Sequence, residues 1–189
     1  MHLRGIGVKK VSDILGFWFN EIEPKQWWVK DPEFDAVIQQ RFLETYHAAT
    51  KGELYQWRTT ATGRLAEIIV LDQFSRNMFR DQAAAFAHDY VAVALTQAAI
   101  DVGADKELLH KPQQLAFMYM PLMHSESPVI HQQAVHCFSQ PGLENNLEFE
   151  FKHKAIIDKF GRYPHRNEIL GRQSSEAEIE FLQQPGSSF

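Results

Sequence analysis

The sequence is poor in cysteine and has no long apolar run. Its one cysteine, Cys137, cannot form an intrachain disulfide, and its apolar neighbours in AVHCFSQ indicate an inert core thiol. The longest strongly apolar run, LAFMYMPLM at 115–123, is far shorter than the roughly 20 residues of a membrane span. The N-terminal stretch lacks the apolar core and cleavage site of a signal peptide. These absences predict a cytoplasmic protein that has no membrane partner.

Motifs of common reaction chemistry are missing as well. There is no HExxH, CxxC or DxDxDG pattern, and the nine histidines are scattered along the chain. There is also no GxSxG, P-loop or GxGxxG motif. We therefore predict no metal site and no cofactor. The sequence names no nucleophile, and it leaves open whether the protein is an enzyme.

The charge balance narrows the class of partner. The formal net charge is −5, whereas broad electrostatic capture of nucleic acid needs a basic face. We therefore predict no nucleic-acid partner. One stretch is locally basic, because residues 152–172 contain six Lys or Arg and only two acids, Asp158 and Glu168. A local basic pocket thus remains compatible with the sequence.

The pattern indicates helix after helix and almost no strand. Asp31 followed by Pro32 is a strong helix start, and Gly161 predicts a helix end. Seven or eight helices with short connections favour an all-α fold of antiparallel helix pairs. We expect a single helical domain over 1–189, with 1–11 flexible. Ser12 is the predicted N-cap of the first helix, and Ser175 and Glu178 form a predicted capping box for the last. The predicted helices begin near Ser12, Asp31, Ala61, His88, Pro112, Ser127, position 145 and Ser175.

A group of polar residues follows the most apolar part of the third predicted helix, in LDQFSRNMFR at 71–80. At 100° per residue, Asp72 and Arg76 continue the inward line of Leu65 and Ile69. Their i, i+4 spacing allows them to pair. Two interpretations remain open. The pair is either a structural lock or a pocket wall in which Asp72 orients Arg76 toward a ligand.

The fifth predicted helix ends in a second polar group, HSES. Pro121 lies inside or at the end of this helix, where we expect a kink or a stop. His124 and Glu126 follow at the helix terminus. Because histidine titrates near neutral pH, His124 can act as a general acid or base, or it can cap backbone groups instead.

The third polar group is GRYPHRN, which contains Arg162, His165, Arg166 and Asn167. Arginine forks, imidazole and amide donors suit a carboxylate or a phosphate. The alternative is structural: Arg162 and Arg166 would cap the preceding helix and pair with buried acids such as Asp72.

Five segments in this order resemble the bacterial helical family catalogued as domain of unknown function 924. The similarity runs from residue 14 to residue 189, and LDQF-RN and FGR-PHRN are its most distinctive parts. The resemblance implies an all-α fold with a tetratricopeptide-like arrangement, and it implies no activity or cofactor. The family often has proline where this chain has Ser75, which puts the bend after Phe74 in question. The five segments are LDQFSRNMFR, AFAHDYVAVALTQAAID, FMYMPLMHSE, FGRYPHRNEILGR and FLQQPGSSF.

The leading functional hypothesis is a small anionic molecule held in a polar pocket. Arg76, Arg166 and His165 would hold the anion. The predicted ligand-binding set is Asp72, Arg76, Asn77, Arg162, Arg166 and Asn167.

Two alternatives belong to other classes. The first is a metal-independent hydrolase or lyase, in which His124 or His165 acts as acid or base and a carboxylate such as Asp72 or Glu126 orients it. The predicted catalytic set is His124, Glu126 and His165. The second alternative is a helical-repeat-like interaction scaffold with an exposed groove.

Overall fold

The computed structural model describes residues 7–188, which form eight α-helices and no β-strand. The all-α prediction is therefore confirmed, while the tetratricopeptide-like arrangement stays a prediction. The helices are α1 (Val11–Gly16), α2 (Pro32–Thr50), α3 (Ala61–Ile69, continued to Ser75–Met78), α4 (Asp89–Asp101), α5 (Pro112–Met123), α6 (Pro128–Phe138), α7 (Glu144–Phe160) and α8 (Glu176–Leu182).

The capping contacts at the starts of α1 and α2 test two of the predicted helix starts. The Asp31 carboxylate accepts from the N–H groups of Glu33 and Phe34, as the sequence predicts. The prediction that Ser12 caps α1 is wrong. The Asp13 carboxylate accepts from the N–H of Lys10 at 2.8 Å, which makes Lys10 the N-cap and starts the helix earlier. Of the predicted flexible stretch 1–11, residues 1–6 lie outside the described residues.

A π-helical turn interrupts α3 at Val70–Phe74, and the helix then continues to Met78. A π-turn shifts backbone hydrogen bonds out of the α register. The Ser75 hydroxyl donates to the carbonyl of Leu71 at 2.7 Å and lies 3.1 Å from that of Asp72. Ser75 therefore supports the wide turn, and α3 continues beyond the predicted end at residue 75.

The chain divides into two compact units. The first unit comprises the residues up to Arg80 together with Ala84–Pro121, and the second comprises Asp81–Ala83 and the residues from Leu122 onward. The division falls directly after Pro121, the predicted kink or stop, although α5 continues to Met123. That the whole chain forms a single domain stays a prediction.

Aromatic rings fill the core of the first unit. Phe42 and Phe74 lie 4.7 Å apart between ring centroids, and Phe17 lies 5.0 Å from Phe42. Trp18 is fully buried against Phe74. Because Phe74 ends the π-turn, this packing holds the polar end of α3 directly beside the apolar core.

The core of the second unit lies between α6, α7 and the segment after α7. Ile156, Ile157 and Tyr163 are buried there, and Phe160 and Phe181 pack against them. Residues after the end of α7 contact the beginning of α6, so the two helices are antiparallel. The predicted stop at Gly161 is confirmed, since this glycine adopts a φ of 70°.

Among residues 7–188, one stretch has the length and apolar composition of a membrane span. It covers Ala83–Asp101, with 22% of its most apolar window buried. A lone stretch of this kind is weak support for membrane insertion. Its α-helical part, α4, would extend about 20 Å, less than the roughly 30 Å of a bilayer core. The absence of a membrane partner stays a prediction.

Candidate functional site

Asp72 lies in the π-turn of the first unit with its side chain fully buried. Arg76 Nη1 is 3.1 Å from Asp72 Oδ1 and donates to the Asp72 carbonyl at 2.8 Å. Gln73 donates its side-chain N–H to Asp72 Oδ2. The ion pair expected from the i, i+4 spacing therefore forms, and it faces inward.

A second carboxylate holds the same arginine. Arg76 donates from both Nη atoms to the two oxygens of Asp89 in the first turn of α4, each at 2.9 Å. Its guanidinium carbon also lies 5.6 Å from the centroid of the Phe86 ring. The fork of Arg76 thus binds one carboxylate in a bidentate manner and contacts another, which ties α3 to α4.

The remaining polar residues of LDQFSRNMFR converge on Asp35 in α2. Asn77 donates its amide N–H to Asp35 Oδ1 at 2.7 Å, and Arg80 donates to both oxygens at 2.5 and 2.8 Å. Three aspartates thus face two arginines, so the group has an excess of negative charge. We call these residues the Asp72 cluster: Asp35, Asp72, Gln73, Ser75, Arg76, Asn77, Arg80 and Asp89.

In the second unit, side chains satisfy three consecutive carbonyls at the C-terminus of α5. The Tyr163 hydroxyl donates to Met123 O at 2.5 Å, and Arg166 Nη2 donates to His124 O at 3.1 Å. The third carbonyl, Ser125 O, lies 2.8 Å from His131 Nε2. Terminal carbonyls lack donors within the helix and form the negative end of its dipole. GRYPHRN therefore supplies part of the cap for HSES.

Glu126 anchors the same loop as an ionised carboxylate. It accepts from Arg172 at 2.6 and 2.9 Å and from the N–H of Tyr163 at 2.7 Å. Burial alone would raise the pKa of Glu126, but these hydrogen bonds lower it below its usual value. A carboxylate held in this way is a poor proton donor near neutral pH.

A buried histidine–glutamate pair lies beside Tyr163, and the sequence argument missed it. His131 Nδ1 is 2.7 Å from Glu150 Oε1, and both side chains are fully buried. A carbonyl can only accept, so the contact with Ser125 O means that His131 Nε2 carries a hydrogen. One proton is then shared between Nδ1 and the carboxyl group.

Two observations favour the neutral form of this pair. Burial raises the pKa of Glu150, with the hydrogen bond from His131 opposing it. Among residues 7–188 the second oxygen, Oε2, has no hydrogen-bond partner although it is buried. Both observations disfavour an ionised carboxylate at Glu150.

Helical periodicity contains the signal that could have found this pair. His131 lies three residues before Ala134, and Glu150 lies seven before Ile157; all four are buried. Such spacing puts both polar side chains on the inward stripes of their helices.

Histidines and arginines surround the ring of Tyr163. Burial, with a smaller contribution from the neighbouring His124, His131 and His165, lowers the pKa of His153 to about 3. Each of these three imidazoles is therefore within electrostatic reach of His153. We call the following residues the Tyr163 cluster: His124, Glu126, His131, Glu150, His153, Tyr163, His165, Arg166, Asn167 and Arg172.

Arg166 is the most deeply placed cation of this cluster. Its guanidinium carbon lies 4.7 Å from the centroid of the Tyr163 ring, and the residue is only 6% exposed. The ring on one side and the His124 carbonyl on another fix the orientation of the guanidinium. The Arg166 side chain is therefore held in one orientation before any ligand binds.

Arg162 and Asn167 stabilise the loop itself. Arg162 donates to both oxygens of Glu178 at 2.7 and 2.8 Å, and this interaction lowers the pKa of Glu178 to about 2. Asn167 donates to Ser174 and accepts from Arg172. Both predicted ligand residues thus have structural contacts, and Glu178 is an acid that pairs with Arg162.

The predicted site residues fall into two groups, each in its own unit. The first unit holds Asp72, Arg76 and Asn77, and the second holds His124, Glu126, Arg162, His165, Arg166 and Asn167. Their roles in ligand binding or catalysis stay predictions. Within residues 7–188, no three His, Cys, Asp or Glu residues are grouped so that they could hold a metal ion.

Comparison with known proteins identifies the family of this chain. The family model described as "Bacterial protein of unknown function (DUF924)" matches residues 14–186. The chain belongs to the DUF924 family. A solved structure of this kind, the protein of unknown function ATU0120 from Agrobacterium tumefaciens, is 34% identical to this DUF924 protein and has a TM-score of 0.86. The match covers 92% of this chain and 96% of that one. No curated protein matches.

Proposed function

We propose that this DUF924 protein binds a small anionic molecule, a carboxylate or a phosphate, at the Tyr163 cluster. Arg166 and His165 contact the anion, with His124 beside them. The observation that carries the proposal is the buried guanidinium of Arg166, which the Tyr163 ring and the His124 carbonyl hold in a fixed orientation. A donor that is ordered before binding loses little entropy when the ligand arrives.

The charges of the cluster support an anion. Arg166 and Arg172 accompany two glutamates, and both glutamates are engaged. Glu126 binds Arg172 and also interacts with the charge of Arg166, and Glu150 shares its proton with His131. An arginine fork beside imidazole N–H groups matches the geometry of carboxylate and phosphate oxygens.

Arg76 differs from Arg166 in its partners. Its fork is bidentate with Asp89 and also contacts Asp72, in a cluster with more aspartates than arginines. An incoming anion would have to displace a carboxylate there. We therefore treat the Asp72 cluster as a structural lock.

The hydrolase or lyase alternative has weaker support. It requires a carboxylate that orients His124 or His165, whereas both oxygens of Glu126 accept from Arg172. The buried pair of His131 and Glu150 is inaccessible, since both side chains are fully buried. Anion binding without turnover does not require His124 or His165 to transfer a proton.

Isothermal titration calorimetry with orthophosphate and with citrate, at fixed ionic strength and with chloride as reference, tests the proposal. We expect Arg166→Gln to weaken binding at least about tenfold, the loss of one charge-assisted hydrogen bond. His165→Gln is a second variant that leaves the arginine contacts in place. Arg162→Gln is the matched control, because Arg162 lies in the same loop but binds Glu178.

Circular dichroism establishes that each variant is folded. The proposal is wrong if the wild-type protein binds neither anion better than chloride. It is equally wrong if the folded Arg166→Gln and His165→Gln variants both bind as tightly as Arg162→Gln.

A further inference from the structure

A surface groove of about 400 Å³ lies in the first unit, and none of its lining residues belongs to either cluster. A π-turn at Phe17–Glu21, the loop that follows it, and the first turns of α2 line the groove. The Asp72 cluster touches this region only through Asp35, which does not line the groove. The proposed anion site therefore gives this surface no role.

The apolar lining of the groove rests on two buried rings. The rings of Phe17 and Phe34 stack at a centroid distance of 6.0 Å, and Val37 beside them is 40% exposed. The loop that forms one wall also exposes Trp28 and Val29, by 62% and 55%. Exposed large apolar side chains around a concave floor are typical of protein-binding surfaces.

The rim is acidic. Glu21, Asp31 and Glu33 line the groove against a single cation, Arg41. Arg41 is already paired with Glu21 at 2.7 Å and lies over the Phe17 ring. The pair neutralises one carboxylate and leaves an excess of negative charge at the beginning of α2.

We propose that this groove docks a basic, amphipathic segment of a partner protein. An apolar side chain of the partner packs on the accessible Ile22 and Val37, while its lysine or arginine residues pair with Glu33 at the rim. Charge complementarity selects this occupant. A symmetric contact with a second copy would place acidic rim against acidic rim, which like-charge repulsion disfavours.

Fluorescence anisotropy with two labelled 14-residue amphipathic peptides tests the proposal. One peptide is built from leucine and lysine, and the other carries glutamate in place of every lysine. The lysine peptide should bind, and raising the salt from 50 to 300 mM should weaken the complex because rim charges are screened. The glutamate peptide should not bind measurably.

Two variants and two matched controls locate the binding surface. Glu33→Lys and Val37→Ser should each weaken binding of the lysine peptide about fivefold or more. Glu44→Lys makes the same charge change on an exposed position of α2 outside the groove lining, and Val129→Ser truncates an exposed valine on α6. Both controls should stay within twofold of the wild-type affinity.

Three results would overturn the proposal. The first is no binding of the lysine peptide, and the second is equal weakening by Glu33→Lys and Glu44→Lys. The third is a dimer in sedimentation that Val37→Ser disrupts, since the groove would then be an interface between copies. Asp31 is left unchanged because it caps α2.

Discussion

The Asp72 and Tyr163 clusters both enclose an arginine, but they surround it with different groups. In the first unit the Arg76 fork meets the carboxylates of Asp89 and Asp72. In the second unit an aromatic face and a backbone carbonyl hold Arg166, with imidazoles nearby. An arginine paired with carboxylates is neutralised and locks helices together. Arg166 instead packs on a ring face and donates to a carbonyl, and its charge also helps to lower the pKa of Glu126, which Arg172 binds.

The comparison shows that burial of an arginine does not by itself distinguish a lock from a binding site. The groups that contact the arginine distinguish a lock from a binding site. Breaking a lock should cost stability, whereas altering a binding residue should mainly cost affinity. The expected effects below run from the largest to the smallest.

Arg76→Met should give the largest loss. It leaves Asp72, which is fully buried, and Asp89 without their cation, so we expect a loss of about 3–5 kcal/mol in the free energy of unfolding. Guanidinium denaturation followed by circular dichroism measures it. Arg41→Met breaks the exposed pair with Glu21 and should cost at most about 1 kcal/mol. Equal losses for the two variants would contradict the lock.

Substitution of Glu178 should cause a loss of folding stability of intermediate size, and this loss should depend on pH. Its pKa is lowered from 4.5 to about 2, chiefly by Arg162, so folding favours the ionised form. The stabilisation is complete above about pH 4.5 and is lost as the pH falls toward about 2. Glu178→Gln should therefore cost about 1–3 kcal/mol at pH 7 and flatten the decline of stability in that acid range.

Urea midpoints measured between pH 7 and pH 2 provide the test for Glu178. Glu168→Gln is the control, because Glu168 is an exposed glutamate of the same segment. An unchanged acid decline in Glu178→Gln would show that the contact with Arg162 contributes nothing to it.

The buried pair should be the least sensitive to a neutral substitution. If Glu150 is protonated, Glu150→Gln keeps a neutral donor to His131 Nδ1 and should cost less than about 1 kcal/mol. Glu150→Leu removes that donor and should cost about 1–3 kcal/mol more. Equal large losses in both variants, measured by urea denaturation, would instead indicate an ionised pair.

Local sequence features predicted much of the fold. Asp31 before Pro32, Gly161 after α7 and the capping box of Ser175 and Glu178 all form as expected, because each depends on neighbours in the chain. The inward placement of Asp72 also followed from helical angles. Ser12 failed as a cap because a nearby carboxylate, Asp13, competed for the helix start.

The partners in the clusters could not be predicted in the same way. Asp89 is 13 residues from Arg76, and Asp35 is 42 from Asn77, so no periodicity within one helix joins them. Glu150 and His131 meet only because α6 and α7 pack together. Sequence angles say which side of a helix faces inward, but tertiary packing decides what it meets there.

The most direct test of the different roles of the two clusters is a long-range ¹H–¹⁵N NMR titration of the histidine side chains with orthophosphate. We expect the resonances of His124 and His165 to shift in the wild-type protein and in Arg80→Gln, which alters the Asp72 cluster, and to stay fixed in Arg166→Gln. Shifts that persist in folded Arg166→Gln, or that vanish in folded Arg80→Gln, would contradict the account.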